Sequence, residues 1–303
     1  MSSPFLDIQG NPIPQEQILG SGSSAIVLLR NDVAIKIPLR YRWSSDSDVK
    51  ANLRSLRHEQ DVYRRLQDPG DNRSHGLVRC IGFSTDTTQF AYMVNGDLRA
   101  YLAKCRPPRQ LQLKWFNEMA RTLSFIHDKR VLVADVASRN FLLDSDLSIK
   151  ICDFSEASLL PLDSNMEDVD DNGFTTRMDV GLLAAVMYEI ITGTTCEVDL
   201  FKNNSPTDGR AYWPERRLLP STQGIWLGWI IEGCWNGGIS SAHNLLEALY
   251  FTNPHLESPI AGSLTTQFLA AIKDWRNHAS IISALGIAAF ILIFGRKRLP
   301  MSQ

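Results

Sequence analysis

The chain has 303 residues, of which 44% are hydrophobic and 21% are charged, and its formal net charge at pH 7 is −2. This length can bury a substantial core in one large or two small domains. The near-neutral charge gives no electrostatic reason to expect nucleic-acid binding. The five cysteines are scattered without a CxxC pair, which argues against a cysteine-based metal site or a disulfide framework.

The first 96 residues predict a short N-terminal extension followed by a strand-rich lobe with one helix. The extension, residues 1–17, is polar and has no apolar run that could serve as a secretory signal. Residues 18–96 form the predicted small lobe. Its elements are two short runs around a glycine turn over 18–29, a strand over 32–39, a helix over 49–66, and strands over 78–83 and 89–94.

Helices dominate the second predicted lobe, residues 97–252. The segment over 180–192 is almost wholly apolar, which is typical of a central buried helix, whereas the segment over 111–127 is amphipathic. Two further helices are predicted over 224–233 and 241–249.

A glycine turn and a lysine in the small lobe predict a phosphate-binding surface. Residues 20–27 nearly match GxGxxGxV, with Gly20, Ser21 and Gly22 at the turn and Val27 at the end. Glycines let backbone N–H groups approach phosphates closely, although a plain hairpin explains this turn equally well. Lys36 follows Val33-Ala34-Ile35 on an apolar strand, so it points either to the interior or, as an edge residue, to water.

An interior lysine needs a counter-charge, and Glu59 on the predicted helix supplies one. The alternative for Glu59 is a solvated helix carboxylate. Further along, Asp135 and Asn140 are separated by four residues, and Asp153 comes thirteen residues after the asparagine. Carboxylate and amide oxygens suit Mg²⁺. The alternative for this pair is an Asx-capped turn.

In this order and spacing, these residues resemble the active site of a eukaryotic protein kinase, across residues 18 to about 252. The resemblance implies an α+β, bilobal protein-kinase-like fold, with a small β-rich lobe and a larger helical lobe, that uses ATP and Mg²⁺. It implies that Lys36, held by Glu59, contacts the phosphates, that Asp135 is catalytic, and that Asn140 and Asp153 bind metal. The remaining nucleotide-binding positions that it implies are Gly20, Ser21, Gly22, Val27, Ala34, Met93 after the gatekeeper Phe90, and Asp97.

Several motifs depart from the family pattern. Val133 and Ala134 replace the His and Arg before the catalytic aspartate, and the missing Arg removes the usual receptor for a phosphorylated activation segment. Ser155 replaces the Gly after Asp153-Phe154. There is no APE motif, and only 23 residues, 156–178, separate Ser155 from Asp179; we call them the activation segment. We interpret these changes as loss of a regulatory switch and not of transfer chemistry.

Three functions are therefore compared. The first is an active ATP- and Mg²⁺-dependent protein kinase acting on a protein hydroxyl, with Ser/Thr specificity favoured by general frequency. Arg139, four residues after Asp135, instead resembles the tyrosine-kinase loop. The second is a pseudokinase that binds nucleotide and partners without transfer. The third is a kinase for a small molecule, suggested by the shortened activation segment.

The C-terminal region predicts a membrane anchor. After a linker over 253–278, residues 279–295 carry no charge, and a basic tail over 296–303 follows. As a helix this run would span about 25 Å, slightly less than a hydrocarbon core of about 30 Å, and flanking Arg, Lys and Trp side chains could cover the difference. The alternative is a buried terminal helix. The expected arrangement is a single-pass C-terminal anchor with the kinase domain in the cytosol.

We expect the full-length chain to stay with the membrane pellet after alkaline carbonate extraction, and a chain ending at residue 277 to be released, because only the former contains the apolar run. The measurement is the distribution of both proteins between pellet and supernatant. If both are soluble, the terminal segment is not an anchor.

Overall fold

The computed structural model describes residues 3–67, 72–202 and 209–252. These residues belong to one compact unit. The predicted linker, apolar helix and basic tail over 253–303 lie outside the described residues. Within the described ranges, no helix is long and apolar enough to cross a membrane.

The small lobe is a five-stranded antiparallel sheet with strand order β1-β2-β3-β5-β4. Its register places Val27 opposite Lys36, and Ala34 opposite Phe90. Strand β3 lies between β2 and β5, and Lys36 on it is buried. The strands are β1 Ile18–Ser21, β2 Ala25–Arg30, β3 Val33–Pro38, β4 Cys80–Phe83 and β5 Thr88–Ala91.

Helix α1, Asp46–Leu66, packs beside this sheet and carries Glu59. Ser45 and Asp48 form a capping box at its start, so the helix begins three residues before the predicted position. Its buried positions recur at three- and four-residue steps, as a core-facing helix requires. They are Leu56, Glu59, Gln60, Val62, Tyr63 and Leu66.

The large lobe is mainly helical, with two short strand pairs beneath the small lobe. Helix α4 is buried along most of its length, as its apolar sequence predicts. Its helices are α2 Leu98–Leu102, α3 Arg109–Asp128, α4 Thr176–Thr192, α5 Gly228–Asn236 and α6 Ala242–Tyr250. Strand β6 Val131–Leu132 pairs with β9 Ser158–Leu159, and β7 Phe141–Leu143 pairs with β8 Ile149–Ile151.

Besides the start of α1, other elements differ from the sequence-based expectation, and three cases have a clear physical reason or limit. Helix α2 was not predicted, since five residues are too few to show a period; Asp97 caps it by accepting a hydrogen bond from the Ala100 amide at 2.8 Å. Strand β5 ends at Ala91 and not at residue 94. Helix α5 begins at Gly228, four residues late, because Leu227 is left-handed (φ 55°) and interrupts the helical path.

The N-terminal extension is part of the folded small lobe, although its sequence is polar. Phe5 pairs with Tyr41 in a β-bridge, and the Leu6 amide donates to the Arg40 carbonyl at 2.9 Å. Ile13 is only 2% exposed. It closes a second apolar core on the outer face of the sheet, which consists of Ile13, Ile26, Leu28, Ile37 and Leu39.

We expect Ile13→Ala to lower the free energy of unfolding by about 2–4 kcal/mol, because it leaves a cavity in this outer core. Chemical denaturation measures the change. Gln9→Ala, at an exposed position of the same segment, is the control and should stay within about 0.5 kcal/mol of the unchanged protein. Equal, small effects of both substitutions would show that the extension contributes little to the core.

Candidate active site

A buried lysine joins two carboxylates that are far apart in the chain. Lys36 Nζ lies 2.8 Å from Glu59 Oε2 and 2.9 Å from Asp153 Oδ1. The Lys36 side chain is 9% exposed and that of Glu59 is 1% exposed. The predicted Lys36–Glu59 pair is therefore present, and Asp153 is a second partner that the sequence had suggested only as a metal ligand.

The buried cluster favours the charged forms of Lys36 and Asp153, whereas burial outweighs Lys36 at Glu59 and raises the pKa of that carboxyl. Burial alone would lower the pKa of Lys36, but Glu59 and Asp153 outweigh it and the pKa is raised, so the ammonium stays charged. Burial likewise opposes ionisation of Asp153, yet the charge of Lys36 and a hydrogen bond from Ser155 outweigh it, and the pKa of Asp153 is lowered. A charged lysine and a charged Asp153 are the forms that phosphate and a metal would need.

Backbone contacts fix Asp153 and the residue after it. The Phe154 amide donates to Glu59 Oε1 at 3.1 Å, so one carboxylate holds both Lys36 and the chain beyond Asp153. Asp153 itself is in the left-handed region (φ 62°), which is unfavourable for a residue with a Cβ. The surrounding bonds therefore hold a conformation that the local sequence would not choose.

Asp179 likewise holds backbone in place, here in the loop over residues 133–140 that carries Asp135 and Asn140, which we call the catalytic loop. Its carboxylate accepts hydrogen bonds from the Val133 amide at 2.8 Å and the Ala134 amide at 2.9 Å. Nε2 of His127 donates to the same group at 3.0 Å. Ala134 is left-handed (φ 65°). Asp179 thus holds the backbone at Val133 and Ala134 without the His and Arg side chains that these two residues replace.

Asp135 is engaged by two side chains of its own loop. Arg139 Nη2 donates to its two oxygens at 2.5 and 2.8 Å, and Asn140 Nδ2 donates to its Oδ2 at 2.9 Å. Arg139 and Asp135 are 48% and 35% exposed. Because the pair is partly solvated, its strength is modest and it can be exchanged for other partners.

Asn140 stands next to Asp153 through the strand pair β7–β8. The Cys152 amide donates to the Asn140 carbonyl at 2.9 Å. The amide nitrogen of Asn140 is occupied by Asp135, which leaves its Oδ1 as an acceptor, and the hydrogen bonds found for the Asp153 carboxylate use Oδ1. One amide oxygen and one carboxylate oxygen are hard ligands that suit Mg²⁺.

The described residues contain no cluster of three or more His, Cys, Asp or Glu side chains that could hold a metal ion.

The predicted nucleotide-binding residues lie at the end of β1, on β2 and β3, directly after β5 and at the start of α2. Gly20 and Ser21 end β1, and Gly22 begins the turn to β2 with its amide bonded to the Ala25 carbonyl at 2.8 Å. Val27 and Ala34 lie on neighbouring strands. Met93 follows β5 and is buried, and Asp97 caps α2. Their roles toward a nucleotide stay predictions.

Three aromatic residues from α1, β5 and the chain after β8 pack on one another. The Tyr63 ring is 5.1 Å from the Phe90 ring and 5.2 Å, edge-on, from that of Phe154. All three are buried, and the Tyr63 hydroxyl has no hydrogen-bond partner among the described residues. Burial, with Glu59 nearby, raises the pKa of Tyr63, so the hydroxyl stays neutral.

Sequence reasoning missed several of these contacts. The Arg139–Asp135 pair has an i, i+4 spacing that could have indicated it, although the residues are in a loop and not in a regular helix. The Lys36–Asp153 contact joins residues 117 positions apart and leaves no local signal. The unpaired hydroxyl of Tyr63 could not be distinguished from an ordinary core tyrosine.

Comparisons with known proteins agree with the geometry. The sequence profile of the family described as "Protein kinase domain" matches residues 13–196, more than half of the chain. A G-type lectin S-receptor-like serine/threonine-protein kinase of Oryza sativa subsp. indica is 26% identical over 197 residues, which cover 61% of this chain and 22% of the relative. A probable receptor-like protein kinase of Arabidopsis thaliana is 24% identical over 219 residues, 62% of this chain and 43% of that protein.

A probable serine/threonine-protein kinase of Dictyostelium discoideum is 24% identical over 162 residues, 48% of this chain and 32% of the relative. The chain thus spans less than half the length of each of these relatives.

We expect Tyr63→Phe to raise the free energy of unfolding by about 1 kcal/mol, because it removes a buried hydroxyl that has no partner while keeping the ring. Tyr63→Leu is the contrasting variant and should destabilise by about 2 kcal/mol or more through lost ring packing. Urea denaturation of both variants and of the unchanged protein measures these changes in the free energy of unfolding. A destabilised Tyr63→Phe would mean that the hydroxyl is hydrogen-bonded in solution.

Proposed function

The chain belongs to the protein kinase family, and on that premise we propose that it is an active kinase transferring the γ-phosphate of ATP to a protein hydroxyl. The observation that carries the proposal is Lys36, charged, buried and bonded to both Glu59 and Asp153. The names of the rice and Dictyostelium relatives support Ser/Thr as the acceptor.

Each residue of the cluster has a definite task in this proposal. Lys36 presents positive charge to the phosphates, and Glu59 keeps it in place from the interior. The glycine turn at Gly20–Gly22 offers backbone N–H groups to the same phosphates. Asp135 orients the attacking hydroxyl and accepts its proton.

Asn140 and Asp153 would hold the metal. Their oxygens suit Mg²⁺, which supplies neutralisation of the negative charge that gathers on the transferred phosphate. The lowered pKa of Asp153, which Lys36 maintains against burial, keeps this ligand ionised.

A second candidate function rests on Asp135. Its carboxylate already accepts from Arg139 and Asn140. These donors occupy both oxygens that would accept the proton of a substrate hydroxyl. This favours a pseudokinase that binds nucleotide without transfer, unless a substrate displaces Arg139 from its partly exposed position. Because the activation segment is short, the test also includes small molecules as phosphate acceptors.

The membrane tether belongs to the same proposal. The uncharged run over 279–295 would place the kinase domain on the cytosolic side of a membrane, where ATP is available. The carbonate extraction described above tests it independently of catalysis.

For the activity, we expect the full chain with ATP and Mg²⁺ to transfer phosphate, and Asp153→Asn to lower kcat by at least about a hundredfold, because it removes a charge acting on the transferred group. The measurement is phosphate transfer to a panel of peptides and metabolites. Asp146→Asn, in the exposed turn between β7 and β8, is the matched control and should keep the rate.

Equal background rates for the unchanged chain and Asp153→Asn would contradict the proposal. If ATP then raised the melting temperature of the unchanged chain by mass action, the pseudokinase function would be supported. Transfer to metabolites and not to peptides would support the small-molecule acceptor.

A further inference from the structure

Two side chains of α1 reach past the ion cluster to the activation segment. His58 Nε2 donates to the Ala157 carbonyl at 2.6 Å. The guanidinium of Arg65 donates to the Leu160 carbonyl, and more weakly, at 3.5 Å, to that of Arg130. His58 and Arg65 are seven residues apart and therefore lie on the same side of the helix, two turns from each other. We call these two residues the α1 clamp.

Among the described residues, the hydrogen-bond acceptors of the α1 clamp are main-chain atoms. Its acceptors are carbonyl oxygens, whose positions follow from the path of the chain and not from any modification of a side chain. On their other side, residues 158–159 pair with β6. The Leu160 amide donates to the Arg130 carbonyl at 2.9 Å. Residues 157–160 are thus held between α1 and β6.

This clamp is connected directly to the ion cluster. His58 precedes Glu59, which bonds Lys36 and accepts from the Phe154 amide at 3.1 Å. Any shift of residues 157–160 relative to α1 therefore also strains the link between Glu59 and Phe154, and with it the position of Asp153. The clamp and Glu59 together give α1 three attachments to the chain that follows Asp153.

The position that would bind a phosphate group on the activation segment carries no donor side chain. Ala134 stands where the family pattern has an arginine, and it is buried, with its amide bonded to Asp179 at 2.9 Å. The start of the segment is nevertheless ordered by contacts to α1 that need no phosphate.

We propose that His58 and Arg65 are positioning residues that hold α1 and the activation segment in the arrangement for phosphate transfer, and that this arrangement does not depend on phosphorylation of the segment. The inference rests on the proposed kinase function. The two side chains act through Glu59 and Asp153 and do not themselves contact substrate.

The test uses the full chain and paired variants. His58→Phe keeps a ring but removes the donor, whereas His58→Gln retains an N–H at similar reach. Arg65→Met and Arg65→Lys form the second pair. Arg54→Met, on the exposed face of α1, is the control. Each protein is assayed for kcat and for the KM of ATP, and amide hydrogen exchange is measured over residues 155–171.

We expect His58→Phe and Arg65→Met each to lower kcat by about tenfold, as the loss of one hydrogen bond allows. The KM of ATP should change by less than about twofold, since the nucleotide contacts remain. Exchange over residues 155–171 should become faster. His58→Gln and Arg65→Lys should recover most of the rate, and phosphatase treatment of the unchanged chain should leave kcat as it was.

Unchanged kcat and exchange in both His58→Phe and Arg65→Met would overturn the inference, as would a loss of about tenfold in kcat after phosphatase treatment. An inactive unchanged chain would count against the proposed function. The exchange measurement would then still show whether His58 and Arg65 hold the activation segment, because it does not require turnover.

Discussion

The structure depends on one buried cation. Lys36 comes from the middle of the small-lobe sheet, Glu59 from α1, and Asp153 from the chain after β8. A charge of this kind is costly to bury unless it is paired and hydrogen-bonded. Satisfying it therefore sets the placement of sheet, helix and large lobe together. Loss of both carboxylates would leave an uncompensated charge at the junction of all three.

The candidate site has two halves with different physical character. The half that would bind phosphate and metal is held by buried groups, with Glu59 fixing Lys36 and the Phe154 amide, and Asp179 fixing the catalytic loop from below. The half that would meet the accepting hydroxyl is held by the partly exposed pair of Asp135 and Arg139. The first half is rigid, and the second can exchange partners at small energetic cost.

Much of this could be predicted from the sequence where a local rule applied. The need for a counter-charge identified Lys36 and Glu59, apolar periodicity identified α1 and α3, and an almost wholly apolar run identified α4. Contacts between distant segments, such as Lys36 with Asp153, could not be predicted, because no local pattern reports them. The packing of the N-terminal extension was missed for another reason: its buried side chains are few and are spaced among polar residues.

The bridge between Phe5 and Tyr41 has a consequence for how the small lobe communicates with its surroundings. Tyr41 lies in the connection between β3 and α1, and its ring is 5.1 Å from that of Phe5 and 4.9 Å from that of Trp43, which is 73% exposed. Any polypeptide attached ahead of Ser3 would thus emerge beside the start of α1. A force or a steric load on the residues around Phe5 would therefore act close to the start of the helix that carries Glu59.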